Sequence, residues 1–508
     1  MHAPPWTKAV TGLAGLRWRH LHLVLPVAFF ALMFLYYPFR EAFEMDLDEG
    51  GTVMKALLVA RGYPLYSQVW SDQPPLSTYL LAACIRIFGP DVDAGRILVL
   101  SLSTALMAAA VHFLRLQWGG WHAVAGAVLI FLLPYYNALS VSIMIGLPAI
   151  AFAVLALLAL SFWHQRRGRV WLFLSALGLC LSIATKLFTG FLAPLFVLGI
   201  LLDEKRRVGK SAGWRAWIGP ALTWSVVFLA FMLIAAVVFV RPSNLMELFT
   251  THLAARQTEE FIVHNQQMPL SFYLSDAWPI LILGGVGGLF VLLERRWISL
   301  YLIAWAGLGT LLLTQQIPVF YHHQLLITVP AAMLAAIAAG EGLSLLPRLL
   351  HPGVFTKWRN LLAALALIGF AIVVFVRLPL TLPVLRPQPV FVSKEPLSPW
   401  PQQAQLFLAK MANHASETHW VVTDLPMYAF RVGLISPPYL SFITAKRLST
   451  GELTEDKIIA VIQEYRPEQV LIGRREFPKV KQFLEDDYRL IYERGKRFLY
   501  LRKDIKGQ

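Results

Sequence analysis

The sequence predicts a polytopic α-helical membrane protein with a small α/β domain at its C-terminal end. Three observations predict it. Of 508 residues, 57% are hydrophobic and 15% charged, with a mean hydropathy of +0.58; a water-soluble domain does not carry apolar surface on that scale. The apolar residues fall in long continuous runs, not in the short alternating segments of a transmembrane barrel. The pattern changes after residue 377, where a Pro-rich stretch leads into short strands and an amphipathic helix. The net charge of +15 does not point to nucleic acid. Much of it lies in short basic clusters between apolar runs, the usual pattern of cytoplasmic loops. Cys84 and Cys180 lie far apart in apolar segments and imply neither a disulfide framework nor a metal site.

Taken in order, a basic N-terminal segment precedes an apolar run at 21–37 with no small-residue cleavage site behind it, which reads as an uncleaved first helix. Further runs follow at 97–114, 121–136, 147–163, 170–185, 187–202, 217–240, 279–293, 297–314, 324–346 and 361–376. Each is about long enough to span hydrocarbon, giving about eleven to thirteen helices. The segment 75–88, "PLSTYLLAACIRIF", is short, carries Arg86 and reads as a helix lying at the interface. With the N-terminus inside, the clusters "HQRRGR" (164–169), "DEKRRVGK" (203–210), "ERR" (294–296) and "PRLLHPGVFTKWR" (347–359) all fall on the cytoplasmic side, as the positive-inside rule requires. The loop 38–96, the turn near 137–146, the loop 241–276 and everything after about Arg377 then lie outside.

Three regions result: a transmembrane domain at 1–377, a Pro-rich linker at 378–400 and an extracytoplasmic α/β domain at 401–508. In the last, "HWVVTD" (419–424), "QVLIG" (469–473) and "FLYLR" (498–502) read as strands. "TEDKIIAVIQEY" (454–465) reads as a helix capped by Thr454, and no Gly-rich phosphate fingerprint follows any strand.

The first outer loop holds the densest charge. "EMDLDEGG" (44–51) packs four carboxylates into eight residues, followed by a helix-like stretch from Thr52 to Arg61, the turn signal "GYPLY" and then "SDQPPL". A carboxylate at the membrane surface can act as a general base toward an acceptor hydroxyl, or hold a divalent cation through oxygen ligands. A solvated acidic loop is the competing reading.

"DEGG…ARGYPLYSQVWSDQPPLSTYL", "FGPDVDAGRIL" and "LSIATKLFTGFLAPL", in that order, resemble the GT-C superfamily of membrane glycosyltransferases. They are most similar to its branch of protein O-mannosyltransferases and aminoarabinose transferases, glycosyltransferase family 39 and relatives. The resemblance implies a GT-C type fold and a catalytic Asp48 beside Glu49, with Asp46 in support. It implies a polyprenyl-phosphate sugar as donor, a hexose or pentose. Arg96 in "AGR" and Lys186 in "ATK" then match positions that hold the donor phosphate; helix entry for Arg96 and snorkelling for Lys186 are the competing readings. Asp72 in "SDQPP" fits an acid of the aminoarabinose transferases, but Gln73 stands where they carry a lysine. The outer turn "PYYNALSVSIMIGLPA" (134–149) lacks the acid that many relatives carry. The expectation is therefore no cofactor and metal-independent transfer, with at most a divalent cation held by the first loop alone.

"PVFYHHQ" (318–324) sits at the outer mouth of a helix, where Tyr321, His322 and His323 can meet phosphate or sugar or simply form an aromatic belt. Adjacent His side chains point different ways on a helix and chelate poorly. Arg256 and His264, in the amphipathic loop 251–269, are further candidates. The expected activity is inverting transfer of a sugar to a protein, lipid or polysaccharide acceptor on the outer side of the cell membrane. The alternative is a transporter or flippase of lipid-linked saccharide, which would place ionisable groups at mid-membrane. A third reading keeps the fold without the chemistry, with the C-terminal domain as a binding module.

Overall fold

The structure is a computed structural model that describes residues 22–208, 214–239, 247–348, 357–382 and 402–505. In chain order, α1 (His22–Tyr36) leads to α2 (Leu47–Ala60) and α3 (Leu76–Phe88), and then to α4 (Val92–Gln117). Next come α5 (Gly120–Phe131), α6 (Tyr136–Ser140), α7 (Gly146–Arg166), α8 (Arg169–Thr185), α9 (Leu192–Val208) and α10 (Trp214–Phe239). Three short helices, α11 (Glu247–Ala255), α12 (Glu259–Gln267) and α13 (Leu270–Leu274), precede α14 (Trp278–Leu293), α15 (Leu300–Thr314), α16 (Leu325–Leu345) and α17 (Trp358–Thr381). Among the described residues eight helices are long and apolar enough to cross a membrane, and α1, α3, α5 and α8 are shorter apolar helices. The chain is a multi-pass membrane protein.

Helix α16 is the hub of the bundle. Its Ala-rich sequence lets α5, α14, α15 and α17 approach closely, and 94% of its membrane window lies inside the protein. Only 6% of the corresponding window of α10 does, and its Leu222, Val226, Leu229 and Leu233 are exposed toward the place of lipid. The interfacial reading of 75–88 fits α3, whose 13 residues reach about 20 Å, short of the hydrocarbon thickness. Arg86 donates from α3 to Val59 O and Ala60 O, capping the end of α2 at 3.2 Å each.

Two expectations need correction. The run 121–136 is not one helix: α5 stops at Phe131, the chain turns through Pro134 and a left-handed Tyr135 (φ 63°), and α6 restarts inside the protein. Proline has no N–H to continue the ladder. The following turn is not solvated either, because Tyr136 through Met144 are buried. Helix α17 continues to Thr381, so the first residues of the stretch read as linker are helical, and 383–401 lie outside the described residues.

The C-terminal domain begins with α18 (Gln402–Asn413). It continues through β1 (Val421–Thr423), α19 (Pro426–Arg431), α20 (Ala445–Ser449), α21 (Glu455–Tyr465), β2 (Gln469–Ile472), α22 (Pro478–Asp487), β3 (Tyr488–Arg494) and β4 (Arg497–Arg502). The sheet order is β1-β2-β4-β3, with β1 and β2 parallel and the other pairs antiparallel. Thr454 caps α21 through Lys457 N–H, as the sequence predicts. The edge strand β3 escapes prediction because its charged residues give no apolar alternation.

This domain is clamped to the first outer loop. Arg431 donates to Ala42 O and Phe43 O at 3.1 and 2.8 Å, and Arg61 donates to Gly433 O at 3.3 Å. Gly50 and Gly51 permit the approach: a Cβ at Gly50 would lie 2.6 Å from Met427 N, and one at Gly51 would enter the Phe442 ring.

Candidate active site

Helix α2 starts earlier than the sequence suggests, so the acidic residues form its first turn instead of a loop. There the macrodipole favours negative charge. The four carboxylates have different fates. Glu44 accepts from Gly50 N–H at 3.2 Å, and burial, reinforced by Glu49, pushes its pKa up to about 8. Asp46 is the N-cap: Oδ1 accepts from Asp48 N–H at 2.9 Å and Oδ2 takes a short hydrogen bond from the Tyr321 hydroxyl. Burial and the neighbouring Asp48 raise the Asp46 pKa to about 6.

Glu49 is fully enclosed. It takes a bidentate ion pair from Arg96 (Nε at 3.0 Å, Nη2 at 2.7 Å) and backbone N–H bonds from Met45 (2.8 Å) and Ile143 (3.0 Å). Arg96, also 0% exposed, gives Nη1 to Phe39 O and Ala42 O. Four of the five guanidinium donors are thus bound by protein. Arg96, expected at the donor phosphate, and Glu49, expected beside the catalytic acid, are engaged with each other in a buried pair that ties α2, α4 and the turn before α7 together. Asp48 is left. Its carboxylate is half-buried and has no hydrogen-bond or ion-pair partner among the described residues. Its backbone carbonyl accepts from Thr52 Oγ1 at 2.8 Å.

Two amines, Lys55 and Lys186, act electrostatically on this carboxylate, and a third, Lys446, stands beside Asp72. Lys186 ends α8, where Ser182 Oγ donates to Ala149 O at 2.6 Å and lies 2.8 Å from Thr189 Oγ1, pinning the turn to α7. Its Nζ lies 4.9 Å from the Phe188 ring centre and has no hydrogen-bond partner among the described residues. Burial and the charge of Lys446 lower its pKa to about 7, against the pull of Asp48 and Asp72. Lys55 is 3% exposed, lies over the Phe442 ring at 5.6 Å, and likewise has no hydrogen-bond partner among the described residues. Burial lowers its pKa, while Asp72 and Asp48 act the other way. Lys446, on α20, reaches Asp72 Oδ2 at 3.3 Å and His252 Nδ1 at 3.2 Å. His252 on α11 faces Asp72 O at 3.0 Å. Burial raises the Asp72 carboxyl, but Lys446, His252 and Lys55 outweigh it and hold the group well below the usual carboxylate range.

The loop "PVFYHHQ" lies on the same side. A Cβ at Gly146 would sit 3.9 Å from Lys186 Nζ and 4.0 Å from His322 Cδ2, which puts the start of α7, Lys186 and His322 together. His322 Nδ1 is buried without a partner among the described residues. His323 Nδ1 accepts from Phe320 N–H at 3.1 Å, and the two imidazoles meet edge to face. Arg256 and His264 stand apart: they hold the loop backbone at Gln315 O (2.5 Å) and Val319 O (3.0 Å). Among the described residues no group of three or more His, Cys, Asp or Glu side chains is placed to hold a metal ion.

Sequence reasoning missed Lys55, His252 and Lys446. Lys55 has a signal, since it follows Asp48 by seven residues and so shares its helix face. Lys446 has none, being 374 residues from its partner Asp72.

Residues 72–240 match the family model described as dolichyl-phosphate-mannose-protein mannosyltransferase. No curated protein sequence matches the chain. Among solved structures, it is similar to ArnT from Cupriavidus metallidurans in the apo state, with a TM-score of 0.62 at 12% identity over 96% of this chain and 98% of that one. The same protein bound to undecaprenyl phosphate gives a TM-score of 0.58 at 12% identity over 95% and 97%. The oligosaccharyltransferase of Archaeoglobus fulgidus in its apo form gives 0.55 at 12% identity over 89% of this chain and 70% of that one. At such identities the likeness is one of fold, and the fold is that of the GT-C membrane glycosyltransferases.

Proposed function

We propose, on the premise of that fold, that this protein moves a sugar from a polyprenyl-phosphate donor to an acceptor hydroxyl on the extracytoplasmic side of the cell membrane. The observation that carries the reading is Asp48. Of four clustered carboxylates it is the one with no protein partner among the described residues, and it lies within electrostatic reach of Lys55 and Lys186. Asp48 takes the proton of the acceptor hydroxyl. The acceptor oxygen attacks the anomeric carbon from the face opposite the phosphate, and the bond from that carbon to the phosphate oxygen breaks. The electron pair leaves with polyprenyl phosphate, and the configuration inverts. Lys186 offsets the charge that develops on the departing phosphate. Asp46, held by Tyr321, fixes the start of α2 and thereby the position of Asp48. We take the reaction to need no cofactor, the amines doing what a divalent cation does elsewhere.

The orientation follows the basic clusters, with the N-terminus cytoplasmic and the C-terminal domain outside. Location of the charges supports an enzyme over a transporter: they gather at the outer helix ends, not at mid-membrane. The test is transfer from radiolabelled polyprenyl-phosphate sugars to endogenous acceptors in membranes, comparing wild type with Asp48→Asn at equal protein level. Label that moves with wild type and stays with the variant supports the reading. Equal transfer by both removes Asp48 as the base, and no transfer from any donor by well-folded protein turns the reading toward lipid-saccharide transport.

A further inference from the structure

A short segment of the C-terminal domain, Tyr439 to Glu452, reaches the site beside Asp72, and its anchoring is specific. Arg447 is 0% exposed. It donates to Glu452 Oε1 (3.0 Å), Tyr439 O (2.8 Å) and Phe442 O (3.1 Å), and its guanidinium lies 4.4 Å from the Trp70 ring centre in the first outer loop. Glu452 in turn accepts from Thr251 of α11 at 3.2 Å, and Phe442 fills the space over Gly51 of α2. The neighbouring residue, Lys446, is thereby fixed beside Asp72 and His252 instead of being free to extend into solvent.

The charges at this point do not balance. Lys55, Lys186 and Lys446 converge, and the carboxylates that act on Lys55 and Lys186 are Asp48 and Asp72. Two of the three amines, Lys55 and Lys186, make no hydrogen bond among the described residues, and neither does Arg447 Nη2. Arg447 Nη2 is buried, and a buried donor without an acceptor is costly unless a ligand supplies one. Asp72 engages Lys446 and so stands where an anion would compete for it.

We infer that the C-terminal domain completes the anion-binding wall of the site: Lys446, with Lys55 beside it, contacts the phosphate of the lipid donor, and Asp72 is the counter-ion that this phosphate displaces. The inference rests on the proposed function. It makes the domain part of the transferring unit, in place of a separate binding module.

The test is equilibrium binding of undecaprenyl phosphate to the full-length chain in lipid nanodiscs, with undecaprenol as the phosphate-free control. Lys446→Gln should lose about ten-fold in affinity for the phosphate lipid and none for undecaprenol, and Lys446→Arg should recover most of the loss. Asp72→Asn breaks the same ion pair from the other side and should bind the phosphate lipid as tightly as wild type or more tightly. If Lys446→Gln binds undecaprenyl phosphate like wild type, or if both variants weaken it equally, Lys446 only positions the loop and the inference is overturned while the donor reading stands. A wild-type chain that does not distinguish undecaprenyl phosphate from undecaprenol overturns both.

Discussion

Both ends of the helix bundle carry dense charge, and they use it differently. At the end that carries Arg167 and Arg359, charges neutralise one another. Arg167 pairs with Asp203 (2.7 Å) and Glu204 (2.5 Å), Arg207 with Glu204 (2.8 Å), and His164 with Asp203 (2.9 Å), while Arg359 bridges Glu294 and Glu341. At the end that faces the C-terminal domain, Glu49 and Arg96 neutralise each other in the same way, but Asp48, Lys55 and Lys186 lie close by without hydrogen-bond partners among the described residues. The difference teaches where chemistry is possible. A paired charge holds structure, whereas a half-buried one kept from pairing is available to a substrate.

The largest effect should come from the unpartnered carboxylate. Asp48→Asn is expected to reduce transfer by about 10²–10⁴-fold with little change in thermal stability, measured by radiolabel transfer and by the melting of purified protein. Its neighbour should behave in the opposite sense. Glu49→Gln takes the bidentate counter-charge from buried Arg96, leaving only the longer Asp93 contact at 3.7 Å, and should cost about 3 kcal/mol of stability, read as a lowered melting temperature. If the two variants behave alike, the distinction between chemical and structural acids at this helix start is lost.

Lys186 sharpens the comparison through pH. Its pKa, lowered to about 7, means that Lys186 loses its positive charge as pH rises through 7. A bound phosphate favours the ammonium, so donor affinity is full below pH 7 and falls above it, by at most about ten-fold per pH unit. KM for the donor should therefore climb between pH 7 and 9, and Lys186→Arg should flatten the climb. At the opposite end of the bundle, Arg167→Gln removes a half-exposed partner from a network that keeps Arg207. It should cost about 1 kcal/mol or less and leave transfer near the wild-type level. The smallest effect is expected from chelation: EDTA-treated membranes should transfer at the untreated rate.

Much of the fold was legible because membrane spans advertise themselves in length and composition. The place where that reading failed, the run 121–136, is one where Pro134 sits inside an otherwise apolar stretch and composition alone hides the break. The site was legible in part. The cluster at 44–51 and Lys186 stand out as charges next to apolar helices. What composition does not tell is which charges find partners: Glu49 and Asp48 are adjacent, and only the distance to Arg96, 47 positions away, separates their roles. The residue type expected at Gln73 is a lysine, and the structure sets a lysine beside Asp72 from elsewhere, Lys446. Such substitution in space leaves no mark in local sequence.

The contact of Phe442 with Gly51 has a consequence for protein engineering. A chimaera that exchanges the C-terminal domain at its Pro-rich boundary would set a foreign surface on α2, where no side chain larger than hydrogen fits beneath that aromatic ring. Grafts that aim to retarget this protein have to carry the helix start, residues 44–51, together with the distant segment that covers it. The unit of inheritance for its specificity is therefore discontinuous in the chain.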